Sequence, residues 1–290
     1  MKKIIILIPV FNDWDSFCKL LDEINENIKF INNYEFKCIA INDCSTVKMP
    51  NIKKPLKIES VKILNMKKNK GHARCNAFGI RYIIENETPD YVILMDGDGE
   101  DRPIEIKSLI NKINAEPNVS VVAKRIKRSE GVIFRSMYQI HKIITFIFTG
   151  KNINFGNYSC LTLEDLKNLS NKASLWSSFS GSVKKYIKKF NEIDSIRGTR
   201  YYGPSKMSLL NLLIHSFSII AVFKYSVFFR SSILLFISFV LYDSIFIFVV
   251  FFQFMLILFN LLIYLISLRE NETDLLNSHF DLVNKIDITH

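Results

Sequence analysis

The stretch YVILMDGDGEDRP, residues 91–103, joins an apolar run to a dense group of acids. Its first five residues are apolar, and four of the next six are acidic. A short apolar run bounded by turn-forming residues is typical of a buried strand, so the acids follow directly where that strand ends. The stretch therefore predicts an acidic site at the carboxyl end of a buried strand.

Similar apolar runs alternate with segments of helical spacing along residues 1–206. The runs predict strands at residues 4–10, 36–41, 61–64, 91–95, 119–123 and 193–200. The 3.6-residue spacing predicts helices at residues 14–31, 71–85, 103–114, 129–149 and 175–190, with a turn within 152–162. Strands alternating with helices indicate an α/β domain with a mostly parallel sheet.

In such sheets ligands bind beyond the carboxyl ends of the strands. Polar residues 12–13, 42–43 and 96–98 each follow a predicted strand, so we expect them to converge on one crevice. Asp96 and Asp98 offer the oxygen ligands that Mg²⁺ or Mn²⁺ prefers, and Gly97 between them would allow a close approach to a ligand. Helix capping is the alternative role of these acids, and it suits Glu100 and Asp101 better.

The hydrophobic residues are unevenly distributed. They make up 49% of the 290 residues, and in residues 231–268 the only charge is Asp243. One helix of that length would measure ~57 Å, whereas a bilayer core is about 30 Å thick. We therefore expect two transmembrane helices within residues 224–268, with a turn at Asp243–Ser244. One tilted span with an interfacial segment is the alternative.

The segments on either side of this region complete the predicted organisation. Residues 207–223 are apolar with a polar stripe, which favours an interfacial amphipathic helix. Residues 269–290 form an acidic tail, which we expect to be poorly ordered and cytoplasmic. Basic residues flank both outer ends of the apolar region, so the positive-inside rule predicts a multi-pass protein of the cytoplasmic membrane whose catalytic domain faces the cytoplasm.

Cysteine usage and charge narrow the class of protein. The five cysteines form no C-x-x-C pair, which disfavours a disulfide framework or a zinc site and indicates a reducing compartment. The start MKKIIILIPVFND resembles a signal peptide, but its apolar run is short and Asn12 and Asp13 follow it, so we expect a buried strand. The net charge is +10, yet the sequence carries no nucleic-acid-binding motif.

Four motifs in order resemble those of family 2 glycosyltransferases. They are ILIPVFN at residues 6–12, NDCS at 42–45, NKGHA at 69–73 and MDGDGEDRP at 95–103. The resemblance implies a GT-A, Rossmann-like fold, a UDP- or GDP-linked sugar donor and inverting hexosyl transfer. RYYGPSK at residues 200–206, followed by apolar helices, is similar to the branch of dolichyl-phosphate mannose synthases and bacterial polyprenyl-phosphate glucosyltransferases.

The resemblance also implies roles for single residues. Asp98 would be the main metal ligand, and Asp96 would face the metal or the ribose. The other residues implied to bind the donor or a phosphate are Pro9, Phe11, Asn12, Asp43, Gly71, Arg74, Asn76, Arg200, Ser205 and Lys206.

Two departures from the family pattern bear on the acceptor. The common D-D-G-S is here Asn42–Asp43–Cys44–Ser45, which keeps the acid as Asp43. The G-D-F-R-L of the polyprenyl-phosphate branch is here GNYSC, so Asn157 replaces an acid and Ser159 an arginine. A phosphate acceptor needs little deprotonation, whereas a hydroxyl acceptor needs a general base, for which Asp101 or Glu100 is then the candidate.

Three functions follow from these observations. The first is a membrane-anchored glycosyltransferase that moves a sugar to a polyprenyl phosphate in cell-envelope glycan synthesis. The second is the same enzyme with a hydroxyl acceptor on a lipid-linked or surface glycan. The third is a non-catalytic, nucleotide-binding membrane tether. The identity of the sugar and self-association as a homo-oligomer stay open.

Overall fold

The computed structural model describes residues 1–127, 132–204, 208–240 and 246–289. In this part of the chain, eight strands form one sheet in the order β7-β5-β6-β4-β1-β2-β3-β8. The strands are β1 (Lys2–Val10), β2 (Tyr34–Asn42), β3 (Ile58–Met66), β4 (Tyr91–Leu94), β5 (Ser120–Lys127), β6 (Phe155–Thr162), β7 (Phe190–Ile196) and β8 (Leu282–Ile288). Strands β4, β1, β2 and β3 run parallel, as do β5 and β7, while β6 and β8 are antiparallel to their neighbours.

Helices cover both faces of the sheet and extend beyond it. They are α1 (Trp14–Ile28), α2 (His72–Asn86), α3 (Ile106–Ala115), α4 (Val132–Thr149), α5 (Leu163–Ser170), α6 (Phe179–Tyr186), α7 (Leu209–Ala221), α8 (Lys224–Val240), α9 (Phe246–Ser267) and α10 (Glu272–Leu276). Short 3₁₀ helices lie at Pro103–Glu105, Ala173–Trp176 and Ser278–Asp281.

The core has two layers because successive strand side chains point to opposite faces. Ile4 and Ile6 of β1 pack into the layer that contains α1 and α3. Ile5 and Leu7 pack into the layer that contains α2, α5 and α6. A strand buried on both faces reads as a continuous apolar run, which is why β1 could be predicted from sequence. The α/β architecture with a mostly parallel sheet is confirmed.

Two segments of the α/β domain differ in type from the sequence-based expectation. The predicted turn within residues 152–162 is mostly strand β6, which lies between β4 and β5. The predicted helix at residues 175–190 is a 3₁₀ turn, the shorter helix α6 and the start of β7.

The C-terminal tail also differs from the sequence-based expectation. The expectation of a poorly ordered tail is wrong, because α10 packs Leu275 into the core and β8 pairs with β3 at the edge of the sheet. Ile286 and Ile288 alternate with polar residues and pack against the core layer of α1 and α3. Residues 282–288 therefore belong to the α/β domain.

The apolar helices do not by themselves establish a hairpin. Within the described residues one segment, Phe246–Leu276, which includes α9, is long and apolar enough to cross a membrane, with a mean hydropathy of 2.7. The pair α7–α8 meets the same criterion only if counted as one span, and its two helices meet at 83°. The predicted turn at Asp243–Ser244 lies outside the described residues.

Candidate active site

The polar ends of the parallel strands meet in one crevice, as the sequence predicts. Asn12 and Asp13 follow β1, Asp43 follows β2, and Asp96 follows β4 by one residue. Because β1 pairs in parallel with both β2 and β4, these strand ends lie side by side at the carboxyl edge of the sheet. The crevice is lined mainly by carboxylates and by the loops that hold them.

Asp96 is held by side chains from two other elements. Its Oδ1 atom lies 3.2 Å from Nε2 of His72 at the start of α2 and accepts a 3.0 Å hydrogen bond from Nδ2 of Asn157. Asn157 also contacts the His72 ring. Since Ser159 of β6 pairs with Leu94 of β4, the antiparallel register places Asn157 across from Asp96.

Asp98 lies in a network with arginines from the segment after β7. Its Oδ2 atom is 2.7 Å from the guanidinium of Arg200, which also pairs with Asp13. Arg197 pairs with Glu100. Backbone bonds from Gly198 N to Glu100 O (2.8 Å) and from Tyr201 N to Asp98 O (3.0 Å) dock residues 198–201 onto the acidic loop.

The carboxylates shift one another's pKa values. Burial, together with the charges of Asp96 and Glu100, raises the pKa of Asp98 to about 6. Burial and the charge of Asp96 likewise raise the pKa of Asp101 to about 7. For Asp96 itself, burial acts upward, but His72, Arg125 and Asn157 outweigh it and lower its pKa. Burial is therefore the largest contribution to the raised pKa values of Asp98 and Asp101.

Asp101 is further from solvent than expected for a general base. It is only 4% exposed, its Oδ2 atom accepts a 2.9 Å hydrogen bond from the backbone N of Asp96, and its Oδ1 atom lies 3.8 Å from Arg125. Asp101 therefore supports the backbone of the acidic loop.

Two loops form the other wall of the crevice. Asn12 has a positive φ of 50°, and its side-chain oxygen accepts hydrogen bonds from the backbone N of Thr46 (2.8 Å) and Val47 (3.0 Å). Asp43 accepts hydrogen bonds from the backbone N of Lys70 at 2.7 Å and of Gly71 at 2.9 Å. Gly71 has a φ of 86° and open space where a Cβ would lie, so it suits a close approach to a ligand. Pro9 and Phe11, both half-buried, flank this wall.

Gly97 has a packing role. A Cβ atom there would lie 2.9 Å from the carbonyl oxygen of Pro9. The missing side chain therefore lets the acidic loop pack against the end of β1, and its close approach to a ligand stays a prediction.

The remaining predicted residues are Asn76, Arg74, Ser205 and Lys206. Asn76 is 1% exposed, with neither side-chain amide atom hydrogen-bonded to protein, and its contact with a donor stays a prediction. The guanidinium of Arg74 lies 5.7 Å from the centre of the Trp176 ring. Ser205 and Lys206 are outside the described residues.

Asp13 lies in the crevice as the sequence predicts, but His72, Arg125 and His215 are not among the predicted site residues. No sequence motif points to Arg125. His72 lies within the NKGHA motif, which was the available signal. His215 of α7 was considered a member of the polar stripe, yet its ring centre lies 5.9 Å from that of His72, so α7 reaches the site.

The candidate metal ligands suit a hard divalent cation that also binds ligands from outside the protein. In the described part of the chain, no three His, Cys, Asp or Glu side chains converge as a closed metal site. Mg²⁺ is commonly held by one or two carboxylates plus substrate phosphates. Asp96 and Asp98, two carboxylates on one loop, fit that arrangement.

The comparisons agree with this geometry. The family described as Glycosyl transferase family 2 matches residues 5–178, which is more than half of the chain. The chain belongs to glycosyl transferase family 2. This glycosyltransferase is therefore an enzyme of the expected class. The comparison with curated proteins returned no significant match.

Solved structures share the fold of this glycosyltransferase at low identity. Mannosyl-3-phosphoglycerate synthase from Rubrobacter xylanophilus is 12% identical, with a TM-score of 0.56 over 76% of this chain and 72% of that one. Glucosyl-3-phosphoglycerate synthase from Mycobacterium tuberculosis, in complex with Mn²⁺, UDP-Glc and phosphoglyceric acid, is 12% identical, with a TM-score of 0.52 over 78% and 80%. A mannosyltransferase from Pyrobaculum calidifontis, in complex with GDP-Man and Mn²⁺, is 13% identical, with a TM-score of 0.50 over 91% and 86%.

Proposed function

We propose that this glycosyltransferase is anchored in the cytoplasmic membrane and transfers a sugar, with inversion, from a nucleotide-sugar to a polyprenyl phosphate. The observation that carries the proposal is the position of the crevice, which is contacted by α7, the helix that leads into the apolar pair α8 and α9. A phosphate on a lipid is the acceptor chemistry that such a position suits.

The donor side follows from the family and from the crevice. Two of the similar structures contain Mn²⁺ with a UDP- or GDP-linked sugar. In this chain Asp98 and Asp96 would hold Mg²⁺ or Mn²⁺, which supplies positive charge to the diphosphate leaving group. Pro9, Phe11 and Asn12 would line the nucleoside pocket, with Asp43 near the base and Gly71 beside the donor.

The transfer itself needs orientation more than proton transfer. An oxygen of the acceptor phosphate attacks the anomeric carbon from the face opposite the nucleotide. The bond between that carbon and the diphosphate oxygen breaks, and the nucleoside diphosphate leaves with the electron pair. Arg200, which lies at Asp98, would turn toward phosphate oxygens of the donor or the acceptor, because guanidinium groups bind phosphate in a bidentate fashion.

The state of the carboxylates favours an anionic acceptor over a hydroxyl. A general base must reach the proton that it removes. Glu100 is paired with Arg197, Asp101 is buried against Arg125, and residue 157 is an amide. A phosphate acceptor is already ionised at neutral pH and needs no base.

The helices beyond the sheet support a membrane anchor. In α9, Val249, Leu256 and Ile263 recur every seven residues and are buried, whereas most other apolar side chains of this helix are exposed. Exposed apolar surfaces of this extent mark membrane or protein contacts. The 83° bend before α8 would let α7 lie along the interface while α8 enters the bilayer.

The chain path supports a hairpin over a single span. Strands β1 and β8 belong to one sheet, so they lie on one side of any membrane. The chain between them must then cross an even number of times. Lys224 at the start of α8 lies 3.3 Å from Glu270 beyond α9, and Gln253 of α9 donates a 3.0 Å hydrogen bond to Ser238 of α8. The five unpaired cysteines fit a domain that faces the cytoplasm.

A transfer assay tests the proposal. Purified full-length protein is incubated with Mn²⁺ or Mg²⁺, a panel of radiolabelled UDP- and GDP-sugars and undecaprenyl phosphate. We expect label in the lipid, abolished by Asp98→Ala. Transfer only to a glycan hydroxyl would show that the acceptor is a hydroxyl and not a polyprenyl phosphate. Nucleotide binding without turnover would overturn the proposed reaction.

A further inference from the structure

The C-terminal segment is connected to two loops of the wall that holds Asn12, Asp43 and Gly71, which we call the nucleoside wall. We call residues 43–47 the first loop and residues 67–71 the second loop. The turn Ser278–Asp281 reaches the second loop, and β8 lies beside β3, whose neighbour β2 leads into the first loop. This segment follows the two loops by more than 200 residues in the sequence, and no motif in the first half of the chain indicates its contact with them.

A chain of three asparagines connects β8 to the first loop. Asn284 Oδ1 accepts a 2.7 Å hydrogen bond from Asn65 Nδ2, and Asn65 Oδ1 accepts one of 2.7 Å from Asn42 Nδ2. The strand registers place Asn42 opposite Asn65 and Asn65 opposite Asn284. Asn42 Oδ1 in turn accepts a 3.0 Å hydrogen bond from the backbone N of Ser45. The chain of asparagines therefore ends on the backbone of the first loop.

Asp281 holds the second loop by two contacts. Its carbonyl oxygen accepts a 2.8 Å hydrogen bond from the backbone N of Lys67. Its carboxylate lies 2.9 Å from Lys70 Nζ, and these side chains are 17% and 15% exposed. The backbone N of Lys70 and of Gly71 donate to Asp43, so Asp281 fixes the loop that orients the Asp43 carboxylate.

We propose that Asp281 and Asn284 are positioning residues for the donor nucleotide, acting through the second and first loops respectively. The inference rests on the proposed nucleotide-sugar donor and deepens it. Both residues follow α9 in sequence, so the segment that leaves the apolar helices completes the support of the nucleotide site.

Nucleotide binding tests the proposal directly. Isothermal titration of the full-length protein in detergent, with Mn²⁺ and either UDP or GDP, should show roughly 2- to 10-fold weaker binding for Asn284→Ala and for Asp281→Asn, the range expected for loss of one hydrogen bond or charge pair. Asn284→Asp keeps an acceptor oxygen for Asn65 and should restore binding. The turnover number at saturating donor should stay within about 2-fold of wild type.

Asp287→Asn is the matched control. Asp287 lies on the same strand, opposite Lys62 and 3.9 Å from its ammonium, and contacts neither loop. It should bind the nucleotide as wild type does. Equal weakening in Asp287→Asn would mean that any disturbance of β8 suffices, and it would overturn the specific roles of Asp281 and Asn284.

Hydrogen exchange separates the two connections without a ligand. Asn284→Ala should speed amide exchange in the first loop, and Asp281→Asn in the second, with thermal unfolding otherwise unchanged. Unchanged exchange in both loops, or wild-type UDP and GDP affinity in both variants, would overturn the proposal while leaving the transfer reaction intact. A wild-type protein that binds neither nucleotide would instead overturn the proposed donor, and the inference with it.

Discussion

Asp96, Asp98 and Asp101 lie within six residues of one another, yet folding moves their pKa values in different directions. Asp96 takes the His72 and Asn157 contacts and has a lowered pKa, whereas burial beside Asp96 raises the pKa values of Asp98 and Asp101. When the pKa of a carboxyl rises on folding, the free energy of unfolding of the protein decreases as the pH increases from the unfolded-state pKa to the folded-state pKa. For Asp98 this interval runs from 3.8 to about 6.

Replacing Asp98 by asparagine tests whether that residue serves function or folding. At pH 7.5 the substitution removes a charge whose burial is unfavourable, so we expect the melting temperature without metal to stay within a few degrees of wild type. Activity should fall on the order of 100-fold or more, as when other groups that stabilise developing charge are removed. Transfer rates and thermal unfolding with and without Mn²⁺ measure both effects.

The exposed Asp22 on α1 provides a control for that experiment. Asp22→Asn should keep both the activity and the increase in melting temperature on adding Mn²⁺. Asp98→Asn should lose that increase, because its metal ligand is gone. Loss of folded protein in Asp98→Asn would show instead that the acidic loop is structural.

Gly97 makes the opposite case, a residue between two site acids that serves packing. Gly97→Ala would place a Cβ 2.9 Å from the Pro9 carbonyl oxygen, and backbone cannot move aside as a flexible side chain can. We expect a loss of about 1–3 kcal/mol in the free energy of unfolding, typical of overpacking. Denaturant titration measures it. Unchanged stability with weakened UDP or GDP binding would return Gly97 to a ligand-binding role.

At the scale of elements, the sequence predicted the strands that are buried on both faces. Strands β1, β2 and β4 each contain an apolar run, and the acids that follow these runs mark the carboxyl edge. Gly156 and Asn157 favour a turn where β6 lies, and the polar composition of the tail obscured the alternation of Ile286 and Ile288 with polar residues. In both cases pairing with distant strands, which a local pattern does not contain, determines the structure.

The same limit applies to the site. Asp43, Asp96 and Asp98 could be predicted because each follows a strand, a local feature. The partners of these acids could not, since Arg200, Arg125 and His72 arrive from three different elements. The two departures from the family motifs, at Cys44 and Asn157, mark where this chain differs from its family. They do not indicate which residues take over the roles of the usual ones.

Helix α7 links the site to the apolar helices through His215. The His215 ring packs edge-on against His72, which contacts Asp96. His215→Ala should lower the turnover number roughly 2- to 10-fold, matching the free energy typical of an aromatic pair. His215→Phe retains a ring and should keep most of the activity. Asn211→Ala, on the exposed stripe of α7, should have no effect, and an equal loss there would assign the effect to α7 as a whole.

For the whole molecule, strand pairing constrains membrane topology. If α8 and α9 cross the membrane as proposed, strand β8 reaches its place beside β3 only when the chain returns to the side that it left. A single crossing would leave residues 282–288 on the far side and remove Asp281 and Asn284 from the nucleoside wall. In the proposed topology, insertion of the hairpin and assembly of the donor site would therefore depend on each other, which hydropathy alone would not suggest.

Cysteine labelling in spheroplasts tests this topology. Cys38, Cys75 and Cys160 are fully buried, so only Cys18 and Cys44 need replacement. Glycine suits position 44, where φ is 58°, and alanine suits the helical position 18. Single cysteines are then introduced by Leu56→Cys in the α/β domain, Asp274→Cys in α10 and Ser244→Cys between α8 and α9.

A membrane-impermeant maleimide should label Ser244→Cys in intact spheroplasts, because a hairpin exposes its turn on the outer side. Leu56→Cys and Asp274→Cys should react only after permeabilisation, since one sheet holds both ends of the chain on the inner side. Labelling of Asp274→Cys together with Ser244→Cys would mean one crossing, which is incompatible with the pairing of β8 and β3. Labelling of all three only after permeabilisation would mean that α8 and α9 enter the membrane without crossing it, which would overturn the hairpin.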